Sequence, residues 1–531
     1  MQNPLRSFIG TMILVLVLTG CAVGPDYKKP PAAELQEWKD KEDPQIKAEP
    51  TDFSQWWAIF NDPILDSLIQ SAYEQNLTLR SAGVRILQAR AALGFAVGRL
   101  YPQSQTLGGG LTYNSLSETT GGSQFADLSF SEANLGFDAA WELDFFGRFR
   151  RNVQSNIASL EATIASYDDL LVTLTAEVAR VYVLIRTFEN RLQIARDNVK
   201  IQGRSLQIAE ARFQGGAVTE LDVAQARSLL KDTEASVPRL EASIRQSRNA
   251  LATLLGKLPG EVDSMIGESG PIPNPPAEVA VGLPAELLRR RPDIRAAERQ
   301  VAAQSPLIGR AKADLYPQFS LFGSIGFRAN TGGSSKADGT GGSSLGDVFS
   351  GDAVQFIGGP AVTWNIFNYG RIKNRVRIQD ARLQQLEINY QETVLRAYRE
   401  VEDAMVGFLR TQEEVAFLAE SVKASKRSVD LSMIQYREGL ADYQRVLDTQ
   451  RSLVIGQDFM TDTMGRVLTN LIAMYKGLGG GWEIRVGKDF VPQQVKDEMK
   501  ERTDWGELLS PEKLKMPATE EEALKWRSPD W

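Results

Sequence analysis

The 531-residue chain contains no histidine. That removes Ser-His-Asp and Cys-His catalysis, imidazole metal ligands and histidine pH switches. It contains one cysteine, Cys21, so no intrachain disulfide can form and one chain cannot build a thiolate metal cluster. After Cys21 no segment reaches 18 apolar residues, so nothing else can span a bilayer as a helix. Proline is missing from Arg148 to Gln214 and again from Arg371 to Glu438. The formal net charge of −7 argues against nucleic acid as the main partner. Charged and apolar fractions are ordinary, so the chain is neither disordered nor a polytopic helical membrane protein.

What is present begins with the position of the lone cysteine. Arg6 and the apolar run Phe8–Leu18 read as a secretory signal peptide, too short for a spanning helix. It ends in Leu18-Thr19-Gly20-Cys21, which resembles a bacterial lipobox, with cleavage before Cys21 and lipidation of its thiol. An ordinary signal peptide with an incidental cysteine is the alternative. Several acyl chains give durable anchoring, each buried CH₂ contributing about 0.8 kcal/mol. Ala22 follows, where the inner-membrane retention signal of such lipoproteins carries Asp, and this implies the outer membrane.

The chain also repeats itself. Trp141-Glu142-Leu143-Asp144-Phe145-Phe146-Gly147-Arg148 shares Trp, Gly and Arg with Trp364–Arg371, at the same offsets. Phe213-Gln214-Gly215-Gly216 matches Tyr436-Arg437-Glu438-Gly439, and Tyr101-Pro102-Gln103 matches Tyr316-Pro317-Gln318. A repeat of this length is a structural plan written twice. The expected divisions are a signal peptide over 1–20, a lipidated linker over 21–56, repeat one over 57–260, a Pro-rich linker over 261–282, repeat two over 283–482 and a C-terminal tail over 483–531.

Each copy runs through the same textures. A helical stretch (near Asp62–Leu100 and Ala285–Leu315) is broken by Tyr-Pro-Gln, because a residue before proline disfavours the α region. Two segments with period-2 apolar alternation follow, the mark of strands. Examples are Leu107, Leu111, Tyr113 and Leu135, Phe137 in copy one, and Phe319, Leu321, Ile325 and Phe356, Val362, Trp364 in copy two. A long helix comes next. Val153, Ile157, Leu160, Ile164, Tyr167, Leu171, Leu174, Val178, Val181 and Ile185 are spaced alternately by four and three, a coiled-coil seam. Uninterrupted from Arg148 to Gln214, it is about 100 Å long. Copy two predicts an equal length with a weaker seam. Each long helix stops at a glycine turn, and return helices are expected near Leu221–Leu255 and Tyr443–Leu478.

Four strands leave open edges, which lipid does not tolerate. About eight strands close a barrel without an aqueous lumen, so a pore needs more than two chains, and three supply twelve strands. The long helices carry charges throughout, such as Arg180, Glu189 and Arg196, and must stand in water. The fold class is mainly α with a membrane β-barrel: two tandem repeats, long coiled-coil helices in an α-barrel, and four strands per chain given to a trimeric twelve-stranded barrel.

Taken as an ordered set, "LTGCAVGPDY", "WWAIFNDPILDSLI", "LLRRRPDIRAAE", "YPQ", "WELDFFGR", "QYREGLADYQRVLDTQRSL" and "LGGGW" resemble the TolC-like outer-membrane factors, especially the lipidated NodT or OprM-like branch. The resemblance spans about Cys21–Trp482. It implies a homotrimeric exit duct of a tripartite efflux pump, partnered by a periplasmic adaptor, an inner-membrane transporter of the RND type and outer-membrane lipid, with no cofactor. It also implies a constriction on the inner return helix of copy two, at the matching positions Tyr436, Gln444, Asp448 and Arg451, with Asp222 and Arg227 as partners from copy one. Close relatives often carry Leu where this chain has Gln444, which shifts closure toward charge. As residues alone, these are equally solvated coiled-coil charges. Tip residues Gly215, Gly216, Val218, Gly439 and Leu440 are candidates for adaptor docking, or plain turn chemistry. Trp141 and Trp364 read as interfacial residues or, preferably, as core at the strand-to-helix joint. A type I secretion duct and a non-pore periplasmic coiled-coil lipoprotein are the alternative functions.

Overall fold

The computed structural model describes residues 22–47, 52–117, 119, 128–276, 278–331 and 344–510. The expected signal peptide, the lipidation candidate Cys21 and the tail beyond 510 lie outside these residues.

Two copies of one plan follow each other. Copy one comprises α1 (Pro63–Gln75), α2 (Leu77–Gly98), β1 (Ser104–Ser115), β2 (Ser129–Leu143), α3 (Arg148–Gln214) and α4 (Glu220–Leu254). Copy two comprises α5 (Pro292–Ala313), β3 (Gln318–Asn330), β4 (Val354–Thr363), α6 (Arg371–Arg437) and α7 (Tyr443–Gly477). The tail adds α8 (Gln493–Arg502). Both long helices have 67 residues and both return helices 35. Strands β1 to β3 are 12, 15 and 13 residues, longer than one tilted crossing of about 9–11 requires. Pro238 in α4 and Pro306 in α5 sit inside helices that continue past them.

Local chemistry sets the element ends. Asp62 accepts from the Ile64 and Leu65 amides and Pro63 occupies the first helical position, where a missing N–H costs nothing. The break between α1 and α2 falls at Asn76, whose side chain caps the Leu79 amide at 2.8 Å and donates to the Leu254 carbonyl at 2.9 Å. The repeated Trp-to-Arg motif is the joint between sheet and long helix. Gly147 and Gly370 adopt φ of +78° and +80°, a region open to glycine at little cost. A Cβ on Gly147 would also come within 2.6 Å of the Ala22 side chain. The carboxylate of Asp144 then accepts from the Phe149 and Arg150 amides at 3.0 and 2.8 Å, closing the first turn of α3.

The Trp141 indole donates to the Leu100 carbonyl at 3.1 Å, and the Trp364 indole to the Leu315 carbonyl at 3.0 Å. The two copies thus use one clamp at matching places. Neither ring is core: Trp141 is half-buried and Trp364 is 53 % exposed, which corrects the preferred reading of these residues.

The main core lies at the equator, where the shorter helices pack on the middle of α3. The Trp56 ring stacks on Tyr475 at 5.5 Å. The N-terminal segment is part of this core. Trp38 is buried and donates to the Gly282 carbonyl at 2.9 Å, and Ile46–Lys47 pairs in parallel with Val279–Ala280. The tail packs here too: Arg485 forms an ion pair with the fully buried Asp168, and Phe490 meets Tyr167 edge-on at 5.2 Å. In the Arg289-Arg290-Arg291 run, Arg291 is buried. It donates to the Gly477 carbonyl and pairs with Asp293 and Glu400.

Candidate functional site

The first functional feature is the sheet. Its order is β1-β2-β3-β4, every neighbour antiparallel. Directly paired residues share a face. One rung is Leu107, Phe137, Ile325 and Phe356, apolar across all four strands and 76, 42, 53 and 75 % exposed. The adjacent rung, on the other face, is Gly108, Gly136, Gly326 and Gln355. The division mostly runs on: Leu111, Leu321 and Val362 stand on the first face, while Thr112, Asn134, Asp138, Ser324 and Arg328 stand on the second, together with two apolar exceptions, Phe322 and Ile357. Among the described residues only the short segment Leu345–Phe349 leans on the apolar face, where Phe349 lies 6.1 Å from Phe327. The rest of that face is open, which suits lipid, and the mainly small and polar face suits a wet lumen. Strands β1 and β4 each present an edge that no described strand of this chain pairs. Among the described residues no helix is long and apolar enough to cross a membrane.

The second feature is the far end of the helices. The α3 turn closes with the Ala217 amide on the Arg212 carbonyl, and the α6 turn with the Leu440 amide on the Gln435 carbonyl. Gly216 and Gly439 take the left-handed conformation at φ +71° and +74°. This six-to-one bond with a left-handed glycine ends both helices alike. Gly215, Gly216 and Gly439 are exposed, Leu440 is 79 % exposed, and Val218 is half-buried against the small cluster that holds the two tips together.

The candidate gate residues fall into three groups. Tyr436 lies on the long helix α6, not on the return helix where the resemblance put it, and its ring is buried (1 % exposed) between helices of its own chain. The reason is its place in the last turn of α6, facing the return helices of its own chain. Its hydroxyl donates to Asp222 at 3.3 Å, its ring meets Tyr443 edge-on at 5.3 Å, and the Arg212 guanidinium lies 4.6 Å over it. Burial, with the neighbouring Asp222 charge, pushes the Tyr436 hydroxyl up to about 12. It is therefore a proton donor at any physiological pH.

Gln444 is exposed and central to a polar relay. Gln225 of α4 donates to its carbonyl oxygen at 3.1 Å, and its own amide donates to Asp448 at 2.9 Å. Asp448 and Arg451 are exposed on α7 and do not meet each other. Arg227 is drawn away from them, pairing with Glu210 of α3 at 3.2 Å.

Arg212 and Gln225 were not singled out from sequence. Arg212 sits in the last turn of α3, where a cation complements the helix dipole, and that position was the available signal. Gln225 had none.

A sheet apolar on one side, polar on the other and open at both edges, set on helices of about 100 Å, defines a protomer of an outer-membrane channel. The chain belongs to the family described as outer membrane efflux protein, which it matches over residues 68–257 and 283–480. Its similarity to Nodulation protein T of Rhizobium leguminosarum bv. trifolii is 31 % identity over 447 residues, 84 % of this chain and 91 % of that one. It is 31 % identical over 441 residues to the pyoverdine export outer membrane protein OpmQ of Pseudomonas putida, covering 82 % and 90 % of the two chains. Among solved structures it is similar to the outer-membrane channel OprN, with a TM-score of 0.80 and 32 % identity, covering 87 % of this chain and all of that one. The protein is an efflux channel of the outer membrane.

Proposed function

We propose that three copies of this chain form the exit duct of a tripartite efflux pump. Twelve strands close the barrel, six long helices and their end-to-end return helices form a tube through the periplasm, and the tips at Gly216 and Gly439 receive a periplasmic adaptor. An inner-membrane RND transporter supplies the cargo, and lipidation at Cys21 anchors each chain. The single observation that carries this reading is the four-stranded sheet with two edges that no described strand pairs and a largely open apolar face: water does not suit the face, and a bilayer does not tolerate the edges.

At the tip the gate works by charge and hydrogen bonding. Three Asp448 carboxylates near one axis repel each other, while Tyr436–Asp222 and Gln225–Gln444–Asp448 hold the two hairpin ends of each chain together. Opening separates these ends. The test is conductance of the purified full-length protein in planar bilayers. A small resting conductance that rises when Asp222 is replaced by Ala supports the duct and the gate. A protein that inserts no pore under any condition refutes both.

A further inference from the structure

Helix α5 packs on both α3 and α6, so the three stand side by side as staves at the foot of the sheet. One face of this wall carries a hollow of about 400 Å³ lined by Arg148, Arg310, Arg375 and Arg382, with Asp314 as the one carboxylate in its lining. Asp314 accepts from Arg375 at 3.1 Å and lies 3.5 Å from Arg148, whose other nitrogen is taken by Glu142 at 2.9 Å. Arg310 spends a donor on the Asn152 side chain at 2.9 Å. Among the described residues Arg382 has no hydrogen bond or ion pair. Four guanidinium groups thus share two carboxylates, in a chain whose net charge is −7. Helices α3 and α6 both start at this level, and neither has an acid in its first turn, so the positive ends of their dipoles add to the field.

Two observations give the direction in which the hollow opens. Glu142, which holds Arg148, shares a rung with Ser320 and so stands on the small polar face of the sheet, the one that suits a lumen. The segment that follows Cys21 lies on the other side of α5. The Val23 amide donates to the Phe146 carbonyl at 3.1 Å, and a Cβ on Gly309 would come within 2.4 Å of the Val23 carbonyl oxygen. Further along, the Tyr27 hydroxyl donates to Glu298 at 3.1 Å. Glu298 and Gly309 are about three helical turns apart and share one face of α5, whereas Arg310 and Asp314 lie roughly 100° and 140° around the helix from Gly309. A segment that leads to a lipid anchor belongs on the outer wall, so the arginine hollow opens inward.

Resting on the duct reading above, we propose that three copies of this hollow form a basic collar in the lumen at the foot of the barrel, and that the collar takes up organic anions in transit by their carboxylate or sulfonate group. Planar guanidinium groups suit bidentate contact with such oxygens, and a ring of arginines in a pore concentrates anions over cations. Cargo that has passed the acidic tip at Asp448 then meets charge of the opposite sign before it leaves.

The test uses the full chain carrying Arg382→Cys; Cys21 is the one native cysteine, and the parent protein reports any reaction there. Labelling is followed by mass with two methanethiosulfonates of similar size, one delivering an anionic sulfonatoethyl group and one a cationic trimethylammonioethyl group. Any change in thiol pKa affects both alike, so the ratio of their rates, normalised to a free thiol in solution, reads the local potential. At low ionic strength, where screening is weak, the anionic reagent reacts at least fivefold faster. Adding Arg375→Gln lowers that preference at least twofold, whereas Arg375→Lys keeps it. The lumen is tested separately in planar bilayers: a polyethylene glycol maleimide on Arg382→Cys lowers the open-channel current, and the same label on Lys312→Cys, on the anchor side of α5, does not. Equal normalised rates, a preference untouched by Arg375→Gln, or a current indifferent to the label on Arg382→Cys would each overturn the collar while a conducting channel leaves the duct standing. A protein that never conducts would overturn both.

Discussion

The two long helices are equal in length and opposite in circumstance. Helix α3 packs mainly against α1, α2, α4, α5 and α7, whereas α6 packs mainly against α5 and α7. Along α3 the seam residues Leu160, Ile164, Leu171, Val178 and Ile185 are all at most 1 % exposed. Along α6, Ile388, Leu395, Val406, Phe417 and Leu431 are 55, 59, 42, 78 and 43 % exposed. Their spacings of 7, 11, 11 and 14 are close to whole helical turns, so they form one stripe. An apolar stripe of that length on a helix that stands in water needs a partner. The repeat was kept, but the packing surface of its second copy was left for another chain.

The contrast can be broken most severely inside α3. Val178→Asp puts an unpartnered carboxylate at a fully buried seam position, costing about 4 kcal/mol or more. The expected result is loss of folded protein, read as vanished α-helical signal and proteolysis of the whole chain.

Next comes the charge that α3 buries. Asp168→Asn strips the partner from Arg485, with Arg295 nearby, and should cost about 3 kcal/mol. The exposed Arg399–Asp403 pair on α6 gives the counterpart: Arg399→Ala should cost less than about 0.5 kcal/mol. Comparing the two thermal midpoints checks the pair of statements.

A smaller effect depends on pH. Burial, then the charge of Asp293, raises Asp169 to about 6, with Arg291 and Lys476 opposing and Glu400 adding. A carboxyl raised in the folded state favours folding fully below its unfolded value near 4. That contribution is lost as pH rises through about 6. Asp169→Asn should therefore stabilise the protein by about 1–2 kcal/mol at pH 7 and leave it unchanged at pH 4, in paired thermal melts.

The smallest change concerns the last turn of α6, where it returns to contact with copy one. Tyr436→Phe removes the donor to Asp222 and should cost about 1 kcal/mol. Its clearer readout is a larger resting conductance with unchanged assembly.

Much of this contrast was legible in the residues. The unbroken span from Arg148, the four-three spacing of its apolar residues and the weaker seam of copy two all announce helices of one length and unequal burial. The alternation through Leu107, Phe137, Ile325 and Phe356 likewise reads as a two-faced sheet. What stayed illegible was long-range pairing outside the repeat. The Trp38 anchor, the Arg485–Asp168 ion pair and the Phe490 contact come from segments without period, so no internal comparison exposes them. Tyr436 shows the same limit at the tip: a sequence match places it among gate residues, while its burial depends on which way the last turn of α6 faces.

The central claim is that α6 presents a surface meant for another copy, and the protein mass in detergent tests it most directly. Light scattering on the full chain should give three times the single-chain mass. Leu395→Glu, at an exposed position on the stripe, should give a folded monomer with unchanged helical signal. A wild-type monomer that nevertheless conducts, or a Leu395→Glu protein that remains a trimer of undiminished stability, would contradict the account.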